Sequence, residues 1–268
     1  MVAIDKAHVS MLGIYDCFGY GTGYNVPFDE RYKLIKQAGF DCVMLWWSDA
    51  FGRGPEYRRD AKLAREAGLY VENIHAPVLE QNNLSLNNLD GDQVYQNYLQ
   101  CVKDCFDYKI PKIVIHLPDD SCPINKIGLE RLEHIIDLAE KINVKIAFEN
   151  LNNIHNLQLV LSIFQSPNVG FCYDSCHHIN FLSDIDLLSL YGNRLFALHL
   201  HDNGGIHNQH QLPFDGKLNW DKIMNKITLA GYKGATTLEP MNWDYKHLSI
   251  QQFLALAYQR CVKINSMR

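Results

Sequence analysis

The sequence predicts an α/β chain folded as a single-domain (β/α)8 TIM barrel. Three observations carry that expectation. Short apolar runs alternate with amphipathic stretches from one end of the chain to the other. The alternation amounts to eight strand–helix pairs with a period of roughly 30 residues. The length, 268 residues, suits the about 250 residues that one such barrel takes.

The expected strands are Val9–Tyr15, Cys42–Trp46, Tyr70–His75, Ile113–His116, Lys145–Glu149, Val169–Tyr173, Leu195–His201 and Ala235–Glu239. Each is short and continuously apolar, as parallel strands buried on both faces are. The expected helices are Arg31–Ala38, Leu63–Ala67, Val94–Phe106, Ile127–Ile142, Leu157–Phe164, Ile185–Leu190, Trp220–Ala230 and Ile250–Val262. Gly39, Gly68 and Gly231 follow three of them as C-caps. A doubly wound open sheet is the alternative. Gly19, Gly21 and Gly23 alternate without the Gly-x-Gly-x-x-Gly spacing that fold uses for phosphates. No linker or charge block divides residues 1–268, so one domain is expected.

Composition narrows the function. Apolar residues make up 47% and charged residues 21%, enough for a large core and against disorder. The net charge of −5 argues against a general binder of nucleic acid or anionic membrane. No apolar run approaches the roughly 20 residues of a membrane span. The start, MVAIDKAHVS, lacks the charged and apolar regions of a signal peptide. Cys42, Cys101, Cys105 and Cys172 sit in apolar or periodic segments, and no Cys-x-x-Cys occurs. Reduced thiols and a cytoplasmic location are therefore expected.

In such a barrel the active site lies at the C-terminal ends of the strands. Strand three ends at His75-Ala76-Pro77, strand four at His116 and strand five at Glu149-Asn150. Strand six ends at Asp174, with His177 three residues on. Strand seven ends at His199-Leu200-His201-Asp202-Asn203, and strand eight at Glu239-Pro240. One terminal His or Glu can merely cap a helix. Six strands delivering an imidazole or carboxylate to one rim need a cation to offset the repulsion. Mixed ligands of this type suit Zn²⁺, Mn²⁺, Co²⁺ or Fe²⁺.

The set His-Ala-Pro, Glu-Asn, Asp-x-x-His, His-Leu-His-Asp-Asn and Leu-Glu-Pro, in that order, resembles the xylose isomerase-like TIM barrel superfamily. That group includes sugar (phosphate) isomerases and epimerases and the endonuclease IV-like enzymes. The motifs cover residues 70–245 and the architecture covers the chain. The resemblance implies a divalent metal (Mn²⁺, Zn²⁺ or Co²⁺) held by Glu149, Asp174, His199 and Glu239. It implies a possible homo-oligomer as well. Endonuclease IV-like members would extend the site to three zinc ions through His75, His116, His177 and His210. The aspartate that pattern needs is Asn208 here. In one-metal members, His75, His116 and His177 would meet substrate hydroxyls instead. Ketose epimerases add an acidic residue and an arginine where this chain has His155 and Gly205, so that branch's substrate does not carry over. The loop Leu212–Trp220 reads Phe214-Asp215-Gly216 in place of the family's Pro-Gly-Glu-Gly form.

Isomerisation and epimerisation remove a proton from the carbon beside a carbonyl. Glu149 and Glu239, from strands five and eight, are the candidate acid/base pair, or are ligands alone. Few cations fall on the rim: Arg53, Lys217 and Lys246, with Arg58 and Arg59 expected in helix two. Tyr15, Trp46, Trp47, Asn203 and Trp243 suit polyol recognition, or pack the rim. A carbohydrate substrate is therefore expected rather than nucleic acid, which takes several phosphate contacts. The alternatives are a zinc phosphoesterase acting on abasic DNA, and a non-catalytic sugar sensor. His201 and Asp202 are candidates to orient the ligands from behind; Asp202 has capping of the next segment as its other reading. Cys172 and Cys176 are read as buried thiols. His8, His134, His178 and His247 have no evident partner.

Overall fold

The computed structural model describes residues 10–78, 80–119, 121–205 and 208–268. Val9 and His8 lie outside the described residues. Eight parallel strands follow one another in chain order: β1 Leu12–Tyr15, β2 Cys42–Trp46, β3 Tyr70–His75, β4 Lys112–Ile115, β5 Lys145–Glu149, β6 Val169–Asp174, β7 Leu195–His199 and β8 Thr236–Leu238. β1 pairs with both β2 and β8. The ring closes one residue past β7. Leu200 bridges Leu238: its N–H donates to Thr237 O, and its carbonyl accepts from the Glu239 N–H, both at 3.0 Å.

The helices among the described residues are α1 Phe28–Ala38, α2 Asp60–Glu66, α3 Leu89–Asp107, α4 Lys126–Lys141, α5 Ile154–Ile163, α6 Ser175–Phe181, α7 Leu187–Tyr191, α8 Trp220–Leu229 and α9 Ile250–Asn265. Asn88, Asn125, Asn153 and Asn219 each accept a backbone N–H at the start of a helix. Ser249 and Gln252 close a capping box on α9. Gly39 ends α1 in the left-handed region at φ 113°, as its type predicts. Helix α6 departs from the sequence expectation. Its residues, Ser-Cys-His-His-Ile-Asn-Phe, carry no apolar period, so only the cap at Asp174 marks it. Arg58 and Arg59 form a 3-10 turn ahead of α2 rather than part of it.

The barrel interior decides where the site sits. Val114, Ala147, Cys172 and Ala197 form a small buried cluster of their own. Strand side chains alternate faces with a period of two. Two residues further on stand His116, Glu149, Asp174 and His199, on the same inward face and one pleat nearer the rim. Register aligns them, with Glu149 opposite Cys172 and Asp174 opposite His199. The eight cysteines are unpaired, and all but Cys122 are buried. No helix among the described residues is long and apolar enough to cross a membrane.

Candidate active site

Glu149 stands at the centre of the rim. Its Oε2 lies 2.9 Å from His199 Nδ1, 3.2 Å from His116 Nε2 and 3.4 Å from His75 Nε2. Its Oε1 lies 3.1 Å from His177 Nδ1. Glu239 Oε2 is 3.7 Å from both His199 Nδ1 and His201 Nε2. One donor atom each from Glu149, Asp174, His199 and Glu239 falls within a 4.8 Å sphere of mutual distances. His75, His116 and Glu149 make a second such set, and His201, His210 and Glu239 a third. Each set joins residues from separate strand ends or loops, which is why no local motif contains it.

These donors fit a bound cation better than they fit one another. His75 Nδ1 is 2.7 Å from Ala76 O, which can only accept. The proton of neutral His75 therefore sits on Nδ1, and the Nε2 lone pair faces the Glu149 carboxylate. Burial holds His75 down at about 4 despite the Glu149 carboxylate beside it. His116 Nε2, Glu149 Oε2, His177 Nδ1 and both nitrogens of His199 are buried without a well-formed hydrogen bond. Buried polar atoms are rarely left so. In the protein without metal, protons must do the cation's work. Burial opposes charge on His177, yet Asp174 and Glu149 lift it to about 9. His199 is raised against its own burial by neighbours that include Cys172, Glu149 and Glu239. Burial would raise Glu149, but His199 and His116 hold it well below the usual carboxylate range. Glu239 is pushed up to about 8, first by burial, with Glu149 and Asp174 adding to the rise against His199.

A layer behind the donors positions them. Asn150 donates to Asp174 O at 3.0 Å and accepts from Asp174 N–H at 2.8 Å, so one amide ties β5 to β6 beside Glu149. The Asp174 carboxylate accepts from His177 N–H at 2.6 Å and meets His201 Nε2 at 2.8 Å. His201 is thus placed to orient Asp174 from behind. Its ring also stacks on His210 at 4.0 Å. Ser175 Oγ donates to His201 O at 2.7 Å and accepts its N–H at 3.0 Å. Asp202, fully buried, holds the loop after β7. Its Oδ1 accepts from Asn203 N–H at 2.8 Å and Leu218 N–H at 3.1 Å. Its Oδ2 accepts from Phe214 N–H at 2.9 Å and Trp220 Nε1 at 2.7 Å.

Comparison with known proteins identifies the family. Residues 32–255 match the model of the xylose isomerase-like TIM barrel family. The chain belongs to that family. The y4fM protein of Sinorhizobium fredii is 29% identical over 285 residues, covering 91% of this chain and 90% of its own. The fructoselysine 3-epimerase of Shigella flexneri is 25% identical over 239 residues, covering 80% of this chain and 85% of its own. A solved structure described as the IOLI protein with a zinc atom superposes with a TM-score of 0.78 at 18% identity, covering 96% of this chain and 98% of that one.

Within this xylose isomerase-like barrel the remaining expected residues divide. Trp46 lies on the site, its ring stacked on His75 at 5.3 Å and 20°. Tyr15 is buried near Glu239, which adds to the burial that keeps its hydroxyl protonated. His210 reaches the site, with Nδ1 2.9 Å from Glu239 O and burial pushing it down to about 3. Asn208 does not; it is exposed. The Asn203 side chain is engaged within the loops, donating to Asn180 at 3.0 Å and accepting from Gly205 N–H at 2.6 Å. Arg53 is not a rim cation. Its side chain is 1% exposed and paired with Asp16 at 2.6 Å and with Asp60. His178 has partners after all: Tyr173 OH and Ile185 O, both at 2.8 Å. Exposed His134 meets Tyr95 OH at 3.2 Å. Asn150 belongs to the Glu-Asn pair of the sequence pattern, but its tie to Asp174 shows only in the fold, and the Ser175 hydroxyl carries no sequence signal of its own.

Proposed function

We propose that the protein is a metal-dependent isomerase or epimerase of a sugar or related polyol. One observation carries the reading: four anionic or imidazole donors from β5, β6, β7 and β8 share one buried point on the rim. Glu149, Asp174, His199 and Glu239 would hold a divalent ion, with Mn²⁺, Zn²⁺ and Co²⁺ all suited to the ligand set. When bound, the ion supplies polarisation of a substrate carbonyl and its neighbouring hydroxyl. The zinc of the IOLI structure and the epimerase among the relatives support both parts.

The chain's own residues would move the proton. Glu149 and Glu239 reach the site from β5 and the end of β8, so a substrate between them has a carboxylate on either side. Each carboxylate can ligate with one oxygen and take up or return a proton with the other, which is what proton transfer beside a carbonyl requires. Trp46 offers a flat wall for the sugar. A phosphoester substrate is the poorer fit. Arg53 is spent on Asp16 and Asp60, leaving Lys217 and Lys246 of the three main rim cations named above.

The test is solvent exchange. Metal-loaded protein incubated with a panel of ketoses and inososes in D₂O should place deuterium beside the carbonyl of one of them. Glu149→Gln and Glu239→Gln should abolish the exchange while each still folds. Cleavage of abasic duplex DNA with no exchange in any sugar would overturn the proposal.

A further inference from the structure

Resting on that reading, we propose that the substrate is a sugar bearing a cationic amine side arm, and that the arm occupies a chamber beside the metal donors. The chamber is about 500 Å³ and opens between the loops that follow β2 and β3. Its walls include Trp46, Trp47, Tyr57 and Tyr98. Trp46 is the shared partition, since the same ring stacks on His75 of the donor cluster. A free hexose held at the donors leaves this volume unused, whereas cavities of roughly 300–1,000 Å³ accommodate ligands of larger size.

The polar groups of the chamber choose the charge. Asp49 and Glu80 line it, are exposed, and form no ion pair among the described residues. Gln81 adds a buried carbonyl oxygen with no donor. Among the described residues the one cationic side chain of the lining is Arg58, and Asp104 neutralises it at 2.7 Å. Asp104 in turn takes Trp47 Nε1 at 2.7 Å and Gln100 Nε2 at 2.8 Å, which fixes the wall rather than the ligand. Acceptors and aromatic faces are thus in excess, and donors are short. An ammonium group answers both: it brings three donors, a positive charge for the carboxylates and an attraction to ring faces. A phosphate or carboxylate arm would meet two carboxylates of like charge.

Three unreactive probes test this on the metal-loaded protein. All are 1-amino-1-deoxyhexitols: one bare, one with an N-butyl arm, one with an N-(4-aminobutyl) arm. Dissociation constants are read by tryptophan fluorescence or calorimetry. The butyl arm should tighten binding over the bare compound, and the aminobutyl arm should add roughly tenfold more. The Asp49→Asn/Glu80→Gln double variant should bring the butyl and aminobutyl probes within about twofold of each other. Equal binding of all three probes, or a preference that survives in the double variant, would overturn the inference. Deuterium exchange into a plain ketose keeps the two readings apart. Exchange with equal probe binding removes the side-arm inference alone. Ammonium preference with no exchange in any sugar, a ketose carrying the N-(4-aminobutyl)amino arm included, removes the isomerase reading and leaves the chamber as a cation-binding site.

Discussion

Asp202→Asn should be among the most damaging isosteric changes in the protein. The carboxylate is fully buried and accepts four hydrogen bonds, two on each oxygen. An amide keeps one acceptor oxygen and turns an NH₂ group towards two N–H donors. Two charge-assisted bonds are lost and two donors are left buried without a partner. At about 1.5–3 kcal/mol for each bond to a charged group, the loss is about 3–6 kcal/mol. A domain's whole stability is ~5–15 kcal/mol. At about 2–4 °C per kcal/mol for chains of comparable size, Tm should fall by roughly 6–24 °C. The measurement is urea and thermal denaturation followed by circular dichroism. Trp220→Phe removes one donor and should cost about 1–3 kcal/mol. The double variant should cost less than the sum, with a coupling above about 1 kcal/mol. A loss below about 1 kcal/mol in Asp202→Asn would refute the reasoning, because the loop after β7 would then be held by something else.

Three further outcomes are expected. Metal-free protein should lose stability as pH rises from about 6.5 to 9. His177 at about 9 and Glu239 at about 8 bind protons in the folded state that the unfolded chain has released, so the proton-linked stability is present below their unfolded values and disappears above the folded ones. Urea midpoints at pH 7 and pH 9 check this, and metal loading should flatten the dependence by displacing those protons. Asn150→Leu should weaken metal binding about 10- to 100-fold, since the two bonds that set Asp174 beside Glu149 are gone; competition with a chromogenic chelator reads the affinity. Trp46→Leu removes the ring stacked on His75. It should raise KM about tenfold with a smaller change in kcat, if the ring binds substrate equally in ground and transition states.

Much of this molecule is legible from its sequence because buried parallel strands announce themselves locally. Three strand spans, Cys42–Trp46, Tyr70–His75 and Lys145–Glu149, coincide with those read from apolar runs alone. The set Glu149, Asp174, His199 and Glu239 is what the family resemblance implies, and the barrel brings one donor atom of each to a common point on the rim. Other features depended on long-range contacts that no window of sequence contains. Arg53 reads as a free rim cation until Asp16 and Asp60 are seen to enclose it. Asn203 reads as a substrate contact, and only the fold shows its amide bonded to Asn180 and Gly205. Helix α6 is invisible to periodicity, yet it turns His177 towards Glu149.

The sequence by itself determined the barrel and which polar residues end its strands, because hydrophobic period and strand ends are properties of single segments. Only the tertiary structure decided how the donors face one another. Register sets Glu149 opposite Cys172 and Asp174 opposite His199. Asn150 and Asp202 then lock strands and loop that are far apart in the chain, and that spacing is what turns a row of polar strand ends into a site.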